Sequence, residues 1–369
     1  MLNDDVASQI RDTSRAFLSR AAAQGPAVGE LDQRAGSRRW KAAAELGWPG
    51  IEIPEKFGGG GGSFANVCVL LEELGRYADD LPIWSTVAVA IRALADANAR
   101  QQELWYPRIA AGEAVIAAAI TNSRGLPDGL GVGMLSVTGG WLLSGEARWI
   151  LDLPRADAVL LAAHDPDACG PSLFLAPTGL DGLVVAAETT TDLARQVGHL
   201  SCHGLFLNAD HLIGQSGQAA ALLDQLRNRA AVALAADSLG GASRVLEMTL
   251  DHLKTRHQFG RPIGSFQALK HRCASSFVDI ELARAAVEFA ARLAVITQGA
   301  ASIAKEQADD AFRHAAAENV QLHGAMGFTW EYPAHLYLRR ASLNAALHGN
   351  PLWHRDRLSE LLLQAHVTD

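Results

Sequence analysis

The sequence predicts a multidomain α+β chain in which a β-rich middle separates two helical blocks. Three observations carry this reading. At 369 residues the chain exceeds one ordinary core, so two or three domains are expected. Apolar residues recur at helical spacing toward both ends. Between Val115 and Gly214 the pattern changes to short runs of β tendency broken by turns. The boundaries drawn on this basis are 1–114 for an N-terminal all-α domain, 115–215 for a middle β-domain and 216–369 for a C-terminal helical bundle.

In the first block, helices are expected over Val6–Ala23, Ser37–Leu46, Phe64–Tyr77, Pro82–Ala97 and Arg100–Ala111. Val67, Leu70, Leu71 and Leu74 fall at i, i+3, i+4 and i+7, the apolar face of an amphipathic helix. The run Gly58–Gly62 lacks the Lys-Ser/Thr of a phosphate-binding loop and reads as a flexible connection. Strands are expected at Val115–Ile120, Met134–Thr138, Trp141–Ser144, Ala158–Ala163, Ser172–Ala176, Leu183–Ala187 and Gly204–Asn208, with Gly139-Gly140 as a hairpin turn. Helices return over Gln218–His257, Phe266–Thr297, Ala301–Met326, His335–Leu347 and Leu352–Gln364.

Composition narrows the function. Apolar content of 49% with 20% charged residues is that of a soluble globular chain, and no apolar run approaches the ~20 residues of a membrane span. The acidic start Met1-Leu-Asn-Asp-Asp is unlike a signal peptide, so a cytoplasmic location is expected. A net charge of −8 argues against a nucleic-acid binder. Cys68, Cys169, Cys202 and Cys273 have no metal-ligand or redox spacing and read as buried free thiols.

The stretch Arg256-His-Gln-Phe-Gly-Arg-Pro-Ile-Gly-Ser-Phe-Gln267 closes one long helical pattern and opens another. Gly260, Pro262 and Gly264 turn the backbone. The turn presents a cation, a flat ring and an amide together, a set suited to a phosphate and a planar ligand. The plainer alternative is a hairpin whose Phe259 is core. The stretch resembles the Arg-x-x-Phe-Gly-x-Pro-Ile-x-x-Phe-Gln connection of the acyl-CoA dehydrogenase family. A second segment, Gln321-Leu-His-Gly-Ala-Met-Gly-Phe-Thr-Trp-Glu331, is similar to the family's Gln-x-x-Gly-Gly-x-Gly-Phe, with Ala325 in place of one glycine. The resemblance covers nearly the whole chain. It implies a helical domain, a β-barrel-like domain and a four-helix-type bundle, with FAD as cofactor and an acyl-CoA thioester as substrate.

In that family each flavin lies between subunits. The resemblance implies that Arg256, Phe259, Gln267, Gln321 and Gly324 reach the cofactor of a neighbouring chain, Arg256 through its pyrophosphate. The accepting half departs from the family. Where Thr-Glu-Pro-Gly-Ala-Gly-Ser bonds the flavin ring, this chain has Thr121-Asn-Ser-Arg-Gly-Leu-Pro-Asp-Gly129, keeping Thr121, with Ser123 as a substitute hydroxyl. The family's Trp-Ile-Thr is here Trp149-Ile150-Leu151, and Trp149 reads equally as a flavin contact or as core. The tetrad that carries the catalytic glutamate, Tyr-Glu-Gly-Thr, is Leu347-His348-Gly349-Asn350. The alternative glutamate position holds Ala230, and Asp237, two turns on and too far to be the same base, reads equally as an unusual base or as a satisfied core carboxylate.

No catalytic residue is therefore expected in this chain. The resemblance is to the smaller, glutamate-lacking subunits of actinobacterial heteromeric dehydrogenases of the steroid-CoA type, so a homologous subunit in a heterotetramer is the expected partner. Two other readings stay open: a self-sufficient flavoenzyme using His348 or Asp237, and a non-enzymatic CoA-thioester binder or scaffold.

Overall fold

A computed structural model describes residues 4–22, 33–165 and 170–367. The far end of the first expected helix, at Ala23, and Cys169 lie outside them. Helices α1 (Asp4–Ala22), α2 (Gln33–Glu45), α3 (Phe64–Arg76), α4 (Ile91–Leu94) and α5 (Ala99–Ala110) form the first block. The expected helix Pro82–Ala97 departs from regularity. Ile83–Ala90 is a π-helix, buried along its whole length, which runs into α4. Its Thr86 hydroxyl accepts from Ile116 N at 3.0 Å, tying the block to the sheet that follows.

That sheet comprises β1 (Ile116–Ala119), β2 (Val132–Val137), β3 (Gly140–Leu151), β4 (Ala158–His164), β5 (Pro171–Pro177), β6 (Leu183–Glu188), β7 (Val197–Leu207) and β8 (Leu212–Ile213). Two halves are visible. The strands β6, β7, β3 and β2 pair antiparallel in that order, while β4, β5 and β8 pair antiparallel with β1 parallel to β4. The halves meet through one pair, Gly133 with His164. Met134, Leu143, Val159, Phe174 and Leu200 fill their own core, separate from the main helical core. Strand β3 runs well past the expected Ser144. The alternation that would reveal it is broken where the register with β7 shifts between Leu143 and Ser144, and again between Ala147 and Ile150.

The second helical block holds α6 (Ala220–Thr255), α7 (Gln267–Arg292), α8 (Gln298–His323), α9 (Ala334–Ala346) and α10 (Pro351–Val367). Helix α7 stops at Arg292 rather than Thr297, and Thr297 instead caps α8 by accepting from Ala300 N. Helix α6 is the spine, packed on α3, α7 and α8. It meets α3 backbone to backbone: a Cβ on Gly75 would lie 2.0 Å from Asp237 O, and one on Gly240 would lie 1.8 Å from Glu72 O. Only glycine permits this crossing. Gly240→Ala is expected to push the two helices apart and cost about 1–3 kcal/mol or more, read as a lower unfolding midpoint. An unchanged midpoint would mean that the crossing is looser than described.

Candidate functional site

The connection between α6 and α7 is a two-strand ribbon, β9 (His257–Gln258) and β10 (Arg261–Pro262), closed by Phe259 and Gly260. Both turn residues have positive φ, 54° and 76°, as a two-residue turn of the I′ kind requires. A phenylalanine in that region is strained, and the ring it presents is 90% exposed. The reading of Phe259 as core is therefore wrong. Arg256, Gln267, Gln321 and Gly324 are exposed too. A stack of three rings joins the two segments: His252 lies 4.1 Å from His323, which lies 4.4 Å from Tyr332. His323 Nδ1 donates to Asn319 O at 2.7 Å, which makes this histidine a structural strut. Burial pushes both imidazoles below their ordinary pKa, so the stack is neutral at pH 7. At Gly324 the backbone has φ 62° and ψ −139°, and no atom lies within 4 Å of where a Cβ would stand. A ligand can approach this backbone closely.

The accepting segment is folded on itself. Asn122 Oδ1 accepts from Arg124 N at 2.8 Å and Leu126 N at 3.0 Å, and Asn122 O accepts from Gly125 N at 3.0 Å. Three backbone donors of the loop are thereby used internally. Thr121 is buried, Ser123 half-buried. Trp149 takes φ 60° and packs so closely on Gly125 that a Cβ there would meet its ring at 2.9 Å. Leu151 is buried in the main core.

Both positions for a base abut one buried tryptophan, which sequence reasoning missed. Trp84, on the π-helix, has its ring 4.9 Å from that of His348, and its Nε1 donates to Ala230 O at 3.0 Å. His348 is buried at φ 55°. Burial, then Lys305, Arg227 and His354, push its pKa down to about 3. The void bounded by Trp84, Leu151, Asp152 and Asp237 measures about 10 Å³, room for about one water. On its other side His348 borders a cleft of about 250 Å³, with Pro127, Asp128 and Gly129 of the accepting loop.

Asp237 is a paired core carboxylate. It accepts from Asn344 Nδ2 at 2.7 Å and pairs with Arg195 at 2.8 Å and Arg340 at 3.3 Å. Arg340, fully buried, also pairs with Asp192 and donates to Asp79 O at 3.1 Å and Ala78 O at 3.0 Å. Burial opposes its charge, and Asp192 with Asp237 more than offsets that. Arg155 joins Asp80 to Asp152, and Asp152 accepts from Ser85 Oγ at 2.5 Å. No spacing in the sequence signals this assembly, because its members come from five separate regions of the chain.

Two family models match, the acyl-CoA dehydrogenase N-terminal domain over residues 4–113 and the C-terminal domain over residues 220–363. Acyl-CoA dehydrogenase IpdE2 of Mycobacterium tuberculosis is 32% identical over 313 residues, covering 85% of this chain and 82% of that protein. The chain belongs to the acyl-CoA dehydrogenase family. Members are FAD-dependent oxidoreductases, and the helical, sheet and helical-bundle order is the family fold. Among solved structures, a variant of the steroid acyl-CoA dehydrogenase Tcur3481-Tcur3483 matches with TM-score 0.86 and 28% identity over all of both chains. The ChsE4-ChsE5 complex from Mycobacterium tuberculosis matches with TM-score 0.86 and 26% identity over 97% of each chain.

The family cofactor fits the two halves of this chain unequally. The Arg256 edge is open, with Arg256, Phe259, Gln267, Gln321 and Gly324 all exposed, so a cofactor could reach them. The accepting side has spent its loop donors on Asn122, placed Leu151 in the core and closed the interior with Trp84. A pH signature follows from His348 and His354, both pushed by burial to about 3. Their neutral forms contribute stability that is full above the unfolded pKa of about 6.5 and lost as pH falls toward 3. His348→Gln should therefore flatten the decline in unfolding free energy between pH 6.5 and 4, measured by urea titration. An unchanged slope would mean that His348 protonates freely in the folded chain.

Proposed function

We propose that this chain is the non-catalytic subunit of a heteromeric acyl-CoA dehydrogenase, lending half a flavin site to a homologous, catalytically complete chain. The observation that carries this reading is Trp84, whose indole fills the space between Ala230 and His348. Trp84 stands at both places, bonded to the Ala230 carbonyl and packed against one side of His348, whose other side borders the cleft of about 250 Å³. His348, moreover, is the wrong base by geometry as well as by identity, since its ring is packed against that indole.

What the chain contributes is positioning. Arg256 supplies a charge-assisted contact to pyrophosphate, Gln267 and Gln321 supply amides, Gly324 admits the cofactor to the backbone, and Phe259 offers a ring. FAD bound there would accept the β-hydrogen of the thioester as hydride, with the α-proton taken by a carboxylate of the partner. Support for a partner comes from α7, where Val278, Leu282 and Phe289 stand 54–62% exposed along one helical face. The two solved relatives named above each carry the names of a pair of chains. The first is described as a steroid enzyme, and a bulky, steroid-derived acyl group is the substrate class we assign to the complex.

Expressed alone, the chain should be colourless or insoluble, and co-expressed with its homologue it should give a yellow complex with fewer flavins than chains. Full flavin occupancy in a homomer would overturn the proposal.

Two variants separate the roles. His348→Ala should leave turnover of the complex nearly unchanged, whereas loss of a general base costs about 10²- to 10⁴-fold. Arg256→Ala should weaken flavin retention by roughly 1.5–3 kcal/mol, read from flavin release on dilution. Collapse of turnover in the His348 variant, with fold and flavin intact, would make this chain an active enzyme.

A further inference from the structure

Beyond the end of α3 the groove between α6 and α7 stands open. Helix α3 fills its inner half, where Glu72 pairs with Arg284 at 2.6 Å and Arg76, the last residue of α3, pairs with Glu247 at 2.7 Å. Toward the α6–α7 turn the groove becomes a hollow of about 410 Å³, walled by Leu246, Leu250 and Leu253 of α6 and by Cys273 and Phe277 of α7. Burial pushes the Cys273 thiol above its ordinary pKa, so this wall is neutral at pH 7. Leu250 is 37% exposed and Phe277 56%. Apolar surface gathered in one open hollow marks a place of contact.

Its polarity is graded along its length. Among the described residues that line it, the charged ones are Lys254 and Lys270, and none is acidic. Both stand at the outer end, beside Gly264. A Cβ on Gly264 would lie 2.9 Å from Leu253 O, so the entry to α7 is drawn close against the end of α6 there. Asp251 reaches Lys254 only at 3.8 Å, with the two side chains 73% and 74% exposed, and such a pair holds neither in place. The inner end is thus apolar and the outer end cationic. Lys254 also stands two residues before Arg256, so a chain whose flavin is held at Arg256 lies beside this end.

We propose that the hollow receives a segment of the partner subunit, with a large apolar side chain seated between Leu250 and Phe277 and an acidic residue beside it meeting Lys254 and Lys270. The proposal rests on the subunit reading, because it is the partner's flavin at Arg256 that brings the partner to this end of the hairpin. From Leu246 to Lys254 the hollow runs about 12 Å along α6, the span of an apolar anchor and one neighbouring side chain. Two ammonium groups covered by a partner without counter-charge would oppose association, and the acid removes that penalty.

The test uses the co-purified complex. With p-benzoylphenylalanine in place of Leu250, irradiation should link this chain to an apolar segment of the partner subunit. Ala274→Trp, a change at an exposed position on the rim that fills the hollow, should weaken association with the partner about tenfold or more while the circular dichroism spectrum stays as it was. Lys254→Glu combined with Lys270→Glu should slow association about tenfold or more and abolish its acceleration at low salt. Links confined to copies of this chain, unchanged association in the Ala274 variant, or an unchanged rate in the lysine variant would each overturn the proposal. A yellow complex that still forms alongside any of those results keeps the subunit reading, whereas a complex that never forms removes both, so the two failures are distinguishable.

Discussion

A continuous set of buried charges holds the three blocks of this chain together. Arg39 on α2 pairs with Asp79 and Asp80, Asp80 with Arg155, and Arg155 with Asp152 at the end of β3. Arg340 on α9 takes up Asp192, Asp237 and the carbonyls of Ala78 and Asp79. From Asp237 the set continues through Asn344 and Ser238 to Asp309 and Lys305. Each charge is buried only because its counter-charge is there, and removing one member of such a pair typically costs about 3–5 kcal/mol. The arrangement is thus demanding of geometry more than generous in stability. It lets the helical blocks and the sheet meet in one way.

That demand explains where the backbone is strained. Among the described residues, the non-glycine positions with positive φ are Ala78, Trp149, Asp152, Phe259 and His348. Ala78 turns its carbonyl toward Arg340, and Asp152 sits in the charge assembly itself. Trp149, half-buried, packs on Gly125, and His348 packs on Trp84. Phe259 alone is strained outward. Ala78, Asp152 and His348 thus lie at contacts between the blocks, Trp149 lies on the accepting loop, and Phe259 presents a ring outward.

The sequence made the helix and strand order legible because periodicity reports local burial, and most elements bury one face. It erred where burial was uniform or interrupted. Ile83–Ala90 is buried all round, so no alternation could reveal its π geometry, and β3 was cut short at its bulge. The open edge was legible as motifs, since Arg256 and Gln267 are exposed at either side of a turn that glycine and proline announce, and Gln321 is exposed near the end of α8, just before Gly324. The interior was legible only by subtraction, through Leu151, Ala230 and His348 standing where other residues were expected. What took the vacated space, Trp84 with Arg195, Arg340 and their acids, could not be read. Those residues meet only after the sheet and both helical blocks have folded, and a buried arginine looks like a surface one in sequence.

The two halves of the site can diverge because they rest on different supports. Phe259 and Arg256 hang from the outer end of the α6–α7 hairpin, fixed by the neutral His252–His323–Tyr332 stack. His348, Trp84 and Leu151 lie at the inner end, fixed by the charge assembly and the main core. Helices α6 and α8 span both, α8 running from Ser302 beside His354 to His323 in the stack, and at 1.5 Å per residue Ala230 stands about 39 Å along the α6 axis from Arg256. The supports of the two ends are therefore separated by most of the length of a long helix. The open turn at Phe259 and the packed surroundings of Trp84 therefore answer to different constraints, the first to backbone geometry and the second to the meeting of all three blocks.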